Sequence, residues 1–299
     1  MLPRSPGRYF LLFAVLALAS ALVFAACGDD DDDGDAPPTG ETPAEGETPA
    51  EGETPAGIDI SGVPELEDGV LNVGSDIAYA PFEFYEEGTE NPDGLDVDLA
   101  EAIAEVLGVE IEWINTGFDG IIPALQTDDF DILVSAMTIT DERDEQIDFV
   151  AYITVGTGIV VPTGNPNNIQ GLDDLCGLTV AVQVGTIQVE MLDEQNDACA
   201  DPIDVVTFDT NPLAVEDLRT GGSDANFSDF PVAAEDAAQS DGDLEVVETQ
   251  IAPEAYGIGL REGSTELNDV ITEAVQAIRD SGKYDQILAD WGLEAIALQ

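Results

Sequence analysis

The sequence predicts an α/β protein built as two lobes, on three observations. Strand and helix patterns alternate through residues 58–299, they fall into two separate runs, and about 240 residues suffice for two domains of ordinary size. The first run opens with Val70 to Gly74, an apolar segment that reads as a buried strand. Asp96 then reads as the N-cap of a helix, because Ala100, Ile103, Ala104 and Leu107 recur at helical spacing before Gly108. Val109 to Trp113 reads as a strand and Asp119 to Gln126 as a helix with Pro123 in its first turn. Phe130 to Ser135 reads as the next strand.

The second run predicts strands at Leu178 to Val182, Ile203 to Phe208, Ala225 to Phe227 and Leu244 to Glu248. Helices fall between them at Ile187 to Asn196, Pro212 to Arg219 and Pro231 to Gln239. Tyr256 to Arg261 follows as a strand. Ser264 then caps a helix whose apolar face is Leu267, Ile271, Ala274, Val275 and Ile278, and a short helix over Tyr284 to Trp291 closes the series.

The segment before residue 58 has a different character. Arg4 and Arg8 precede an apolar run that ends in Val23-Phe-Ala-Ala-Cys27, the charged start, apolar centre and small-residue end of an export signal. It resembles a bacterial lipoprotein signal, which implies a signal peptide over 1–26, lipidation of Cys27 and a lipid anchor outside the cell membrane. Phe24 departs from the usual Leu of that pattern, and the run is nearly long enough to span a bilayer. Residues 27–57 carry Asp29 to Asp33 and three near-copies of Gly-Glu-Thr-Pro-Ala-Glu. With no apolar residue larger than Ala or Pro, the segment reads as a disordered acidic tether reaching roughly 30 Å or more.

Charge excludes some partners. The chain has a formal net charge of −57, and residues 58–299 alone hold 53 acidic and five basic residues. Such a surface repels nucleic acid and anionic lipid, and suits a protein exposed to high salt or alkaline pH. The chain has no histidine, which removes Ser-His-Asp and Cys-His catalysis and argues against a metal-binding or catalytic role for the cysteines. Beyond Cys27 only Cys176 and Cys199 remain, and in an exported chain they predict a disulfide.

Arg143 is the only basic residue between Arg8 and Arg219. Taken alone it has two readings: an ion pair with Asp141, Glu142, Asp144 or Glu145, or a fork of donors for a ligand carboxylate. Its position favours the second. In open α/β sheets ligands sit beyond the carboxyl ends of strands, and Arg143 follows the strand Phe130 to Ser135, with Thr140 placed as a helix cap. In the second run Gln183-Val-Gly185-Thr186 leads from a strand into a helix N-terminus, which favours an anion. Asp229 likewise follows a strand and offers a carboxylate for an ammonium. Individually these are also ordinary turns and caps; together they make a receptor for a zwitterion.

Several motifs in fixed order then carry a resemblance: Gly74-Ser-Asp76-Ile-Ala-Tyr79-Ala-Pro81-Phe82, Gly94-Leu-Asp96-Val-Asp98, Phe118-Asp119-Gly, Ser135-Ala-Met-Thr138-Ile-Thr140-Asp-Glu-Arg143, Gly185-Thr186, Asp229-Phe-Pro and Tyr256-Gly-Ile-Gly. Over nearly all of residues 66–292 the chain resembles the polar amino-acid-binding family of ABC-transporter solute-binding proteins, with the type II periplasmic-binding-protein fold. The resemblance implies a Venus flytrap of discontinuous lobes, 58–155 plus 256–299 and 156–255, with crossings near Val155 to Val161 and Ile251 to Ile258. It implies that Arg143 and the N–H groups of Thr138 and Thr186 hold a ligand α-carboxylate. Asp229, the Thr138 hydroxyl and the Ala136 carbonyl would meet the α-ammonium. Tyr79 and Phe118 would sandwich the side chain, with Asp76 and Gln183 at its tip.

Ile187 stands where the family often has a second Thr. No basic residue lies near the side-chain pocket, which argues against an acidic ligand, and Asp76 favours a cationic or polar one. The family implies a monomer that delivers free amino acid to a membrane permease, with no cofactor and no catalytic residue. A dehydratase-like enzyme on the same fold, using Asp76 or Glu83 as acid and base, and a sensor subunit are the other readings. Asn226, a polar residue inside a predicted strand, has no account from sequence.

Overall fold

The computed structural model describes residues 57–298; the expected signal peptide, Cys27 and nearly all of the expected tether lie outside them. A single eight-stranded sheet runs through the described residues in the order β4-β1-β5-β10-β6-β9-β7-β8. In its first part β1 (Val70–Ser75) lies between β4 (Glu110–Asn115) and β5 (Ile132–Leu133), parallel to both. The crossovers are α1 (Leu95–Leu107) and α2 (Ile121–Gln126), and a two-stranded ribbon of β2 (Phe84–Tyr85) and β3 (Pro92–Asp93) precedes α1. Parallel neighbours require such crossovers. Leu71 and Val73 of β1 pack against Leu99, Ile103 and Leu107 of α1, all buried at helical spacing.

After the single turn α3 (Asp141–Asp144) comes β6 (Ile147–Pro162). The second part follows as β7 (Thr179–Gln183), α4 (Ile187–Asn196), β8 (Asp204–Phe208), α5 (Asn211–Arg219), β9 (Ala225–Asp229) and α6 (Phe230–Gln239). β10 (Leu244–Arg261) returns to the first part, where α7 (Thr265–Asp280) and α8 (Lys283–Asp290) pack on α1. The N-terminal half of β6 and the C-terminal half of β10 serve the first part, where Gly259 and Leu260 of β10 pair with Leu133 and Ile132. The other halves serve the second, where Thr157 to Val160 pair with Asp229 to Asn226.

Each lobe has a main core, with a smaller apolar cluster beside it. One main core draws on β1, α1 and β5 and on Tyr256 to Ile296; the other on Ile159, Val161, Val180, Val182, Leu192 and Phe227. This is the two-lobed α/β architecture that the alternation predicts. β6 and β10 pair antiparallel from Ile147↔Arg261 to Leu244↔Pro162, with register shifts at Val247/Ile251, Ile251/Glu254 and Tyr256/Gly257. Bulges increase twist and interrupt pairing, so the ribbon joining the lobes is regular at both ends and irregular between them. Cys176 and Cys199 form the expected disulfide, with Cα atoms 5.4 Å apart, closing the segment before β7 onto the end of α4.

Four sequence expectations need correction. Asp96 is not an N-cap: the helix begins at Leu95 after Gly94, and Asp96 is a fully buried residue of its first turn. Gly94 is required there, because its φ is 141° and a Cβ would fall 1.9 Å from the Phe82 carbonyl oxygen. Leu244 to Glu248 and Tyr256 to Arg261 are parts of one strand, since pairing with β6 holds the chain extended on either side of Ala252, whose φ is 41°. Phe130 to Ser135 narrows to Ile132–Leu133, whereas Ser264 is the N-cap of α7 as expected, though without a side-chain bond. The long strand β6 has no counterpart among the predicted elements.

Candidate ligand-binding site

Every residue of the candidate site leaves the carboxyl end of a strand. Asp76 follows β1, Phe118 follows β4, and Ala136, Thr138 and Arg143 follow β5; Gln183 ends β7, and Asp229 ends β9 as the N-cap of α6. All of them, with Tyr79 and Thr186, line one cleft between the lobes. The structure also brings into that lining Glu83, which the sequence reading named only for the enzyme alternative, Ile187, which it named as replacing a polar residue, and Gln188, which it did not name.

Arg143 is buried, at 8% exposure, by the geometry of α3. Thr140 caps that turn, its hydroxyl accepting the Arg143 N–H at 3.2 Å, which aims the side chain into the cleft. Nη1 donates to the Thr138 carbonyl at 2.7 Å and Nη2 to the Gly185 carbonyl, on the other lobe, at 3.1 Å. The guanidinium also sits 5.5 Å from the centroid of the Phe118 ring. Among the described residues it forms no salt bridge, so the pairing with its acidic sequence neighbours does not occur. Burial lowers its pKa, against the opposing pull of Glu190 and then Asp229. It is a buried cation held by carbonyls, with its charge uncompensated by direct contact.

Asp229 is the opposite pole. Tyr79 Oη donates to its Oδ2 at 2.8 Å and also accepts its backbone N–H at 3.1 Å. Gln188 Nε2 donates to Oδ1 at 2.9 Å. Burial raises the Asp229 pKa, opposed by the hydrogen bonds from Tyr79 and Gln188. Asp76 is held by Gln183, whose Nε2 donates to its Oδ2 at 2.6 Å; burial raises its pKa against that bond. The bonds Tyr79–Asp229, Asp76–Gln183 and Arg143–Gly185 all cross between lobes, so the cleft is shut.

Behind the cleft the backbone at Ala136 is left-handed, with φ 46°, a conformation costing an L-residue roughly 1–2 kcal/mol. Asp96 holds it: Oδ2 accepts the Ala136 N–H at 2.7 Å, and Tyr152 Oη donates to the same carboxylate. Burial pushes Asp96 up to about 6, against those bonds. Asn226, fully buried, also finds an account: Nδ2 donates to the Ala181 carbonyl at 3.2 Å and to Asn211 Oδ1 at 3.3 Å. Asn211 in turn donates to Asp236 Oδ2 at 2.9 Å, tying β9 to the N-terminus of α5 and to α6.

Thr186 caps α4 by position, but its hydroxyl donates back to the Gln183 carbonyl at 2.8 Å, which fixes the Gly185 turn. Gly185 has φ 77° and faces Asp119 across the cleft, where an added Cβ would lie 2.9 Å from the Asp119 Cα. A side chain there would keep the lobes apart.

Residues 71–294 match the bacterial extracellular solute-binding proteins, family 3. The chain belongs to this family. Among its relatives is the arginine-binding protein ArgT of Corynebacterium glutamicum, 32% identical over 78% of this chain and 78% of its own length. The L-cystine-binding protein TcyJ of Escherichia coli K12 is 31% identical over 75% of this chain and 83% of its own. Among solved structures, an ancestral arginine-binding protein bound to arginine superposes with a TM-score of 0.71 at 36% identity, covering 75% of this chain and 98% of its own. Solute-binding proteins of family 3 thus share with this chain both its sequence and its two-lobed frame.

Proposed function

We propose that this family 3 protein captures a free amino acid with a cationic or polar side chain and delivers it to an ABC importer. One observation carries the reading: Arg143 is buried in the cleft with no carboxylate in contact, opposite Asp229, whose oxygens already collect hydrogen-bond donors. A guanidinium fork and an opposed carboxylate fit the two charges of an amino acid backbone. The side chain would lie along Tyr79 and Phe118 toward Asp76, Gln183 and Glu83, a pocket end with two carboxyl groups and no cation of its own. That imbalance favours a ligand bringing positive charge, as the arginine-binding relatives do.

The lobes of this reading are residues 58–155 plus 256–299 and residues 156–255, with β6 and β10 as the hinge. A ligand touching both lobes stabilises the closed form, and the permease recognises that form. The chain works as a monomer outside the cell membrane, anchored by lipid at Cys27 and spaced from it by the acidic tether. Thermal-shift screening of the twenty amino acids and common polyamines tests the binding. Arginine, lysine or glutamine raising the melting temperature, with every shift abolished in Arg143→Ala, is the expected result. Stabilisation only by aspartate or glutamate would overturn the charge argument, and consumption of a bound ligand would point to an enzyme instead.

A further inference from the structure

Glu83 stands at the side-chain end of the cleft, and the binding scheme gives its proton no role. It lies between Phe82 and Phe84, at 1% exposure, on the turn between β1 and β2. Oε1 accepts the Ser135 hydroxyl at 2.8 Å, and Ser135 Oγ itself accepts the Asp76 N–H at 2.9 Å. Oε2 is buried and has no hydrogen-bond partner among the described residues, although the residue lines the cleft. An oxygen left bare in this way belongs either to a neutral carboxyl or to a carboxylate awaiting a partner.

The groups facing Glu83 decide which. Asp76 acts on it from the end of β1, Asp96 from α1 and Asp229 from the start of α6, and Tyr152 is the phenol that feels its charge. Asp96 is occupied with Ala136 and Tyr152, and Asp229 with Tyr79 and Gln188. Arg143, the basic residue of the cleft lining, directs two donors to the Thr138 and Gly185 carbonyls and none to Glu83. The residues of the closed cleft therefore surround Glu83 with carboxyl groups and offer it no cation. Burial first, and then the charge of Asp96, holds its carboxyl well above the usual range.

We propose that Glu83 is a proton-linked selector: neutral in the unliganded cleft, it gives up its proton when a cationic side chain enters and keeps it for a neutral one. The proposal rests on the reading of the cleft as an amino-acid site. On binding a guanidinium or ammonium, the O–H bond of Glu83 breaks, the proton passes to solvent, and the carboxylate pairs with the ligand cation. With a neutral side chain the carboxyl stays intact and donates through its hydroxyl. The sign follows by linkage. Affinity for the cationic ligand rises with pH, by at most about tenfold per unit, between the Glu83 pKa of the liganded and unliganded forms. Affinity for the neutral ligand does not rise with it. Acid conditions then flatten the preference for cations, and alkaline conditions sharpen it.

Calorimetric titrations of the mature chain with arginine and lysine, and with citrulline and glutamine, test this in pairs of buffers of different ionisation enthalpy between pH 6 and 9. Release of close to one proton with a cationic ligand and none with a neutral one is expected. In Glu83→Gln the release should vanish and the arginine-to-citrulline preference should lose its pH dependence. Wild-type binding of arginine without proton exchange overturns the proposal and needs no variant. So does a release that survives in Glu83→Gln and disappears in Asp76→Asn. Absence of binding by all four ligands would instead sink the amino-acid reading itself.

Discussion

Gly185→Ala separates two costs that most substitutions mix. The first is local: φ at this position is 77°, and placing a Cβ there costs roughly 1–2 kcal/mol whether or not ligand is bound. For a folded region of this size that lowers the melting temperature by roughly 2–8 °C. The second exists only with the lobes together, because the new Cβ would meet Asp119, 2.9 Å from its Cα and 3.1 Å from its Cβ. Asp119 reaches that point as backbone of the 3-10 turn at Phe118–Gly120, which cannot move aside as a flexible side chain would. Overpacking of this kind costs about 1–3 kcal/mol, so affinity should fall roughly five- to 150-fold. Calorimetry with the ligand found by screening measures the second cost, and thermal denaturation of the empty protein measures the first. A melting temperature reduced as stated, with affinity within twofold of wild type, would refute the conclusion that Gly185 and Asp119 are packed together in the bound form.

Arg143→Lys keeps the charge and removes the fork, so the two carbonyls of Thr138 and Gly185 and a ligand carboxylate no longer share one planar donor. Affinity should drop by about ten- to a hundredfold, as expected for the loss of one or two charge-assisted bonds, readable in the same titrations. Reducing Cys176–Cys199 opens a loop of 23 positions, and loop entropy puts the loss near 3 kcal/mol; urea unfolding with and without reductant reports it. Asp96 and Asp236 are both raised from 3.8 to about 6 by burial, so the native state holds protons that the unfolded state has released. Stability is then greatest below pH 4 with respect to these groups, and falls as pH rises to about 6, by roughly 3 kcal/mol for each. Asp236→Asn should shallow that decline in urea midpoints between pH 4 and 6.5; an unchanged slope would contradict the assignment.

The cleft was legible because its residues obey a positional rule. Asp76, Phe118, Thr138, Arg143, Gln183 and Asp229 each sit just past a strand, and strands of period two or continuous apolar character can be read locally. Gln188 was not, and Glu83 was read only as an acid or base of the enzyme alternative, since their roles come from what crosses toward them. The signals were present, though faint: an acid between two phenylalanines, and a glutamine on the inward face of α4 two residues past Thr186. Asp96 was misread because an Asp before an apolar helical pattern has the composition of a cap. Only the approach of Ala136, 40 residues on, shows that its carboxylate serves a turn in another element. The single span of β10 was hidden for a similar reason. Ala252, with φ 41°, and the register shifts around it look like a loop in sequence, and pairing with β6 holds the chain extended on either side.

The two crossing strands also set an order of assembly. The core of the second lobe uses residues from Ile159 to Ile251, a continuous stretch, and is complete once that stretch is available. The core of the first lobe needs Leu71, Leu99 and Ile132 together with Ile258, Ile271 and Ile287, so its earliest and latest parts are separated by the whole of its neighbour. As the chain emerges in the direction of synthesis, the second lobe can close while β1, α1 and β5 still lack the C-terminal half of β10 and α7. The part of the sequence that is made first is thus the part that waits longest, and its apolar strands stay uncovered until the last helices arrive.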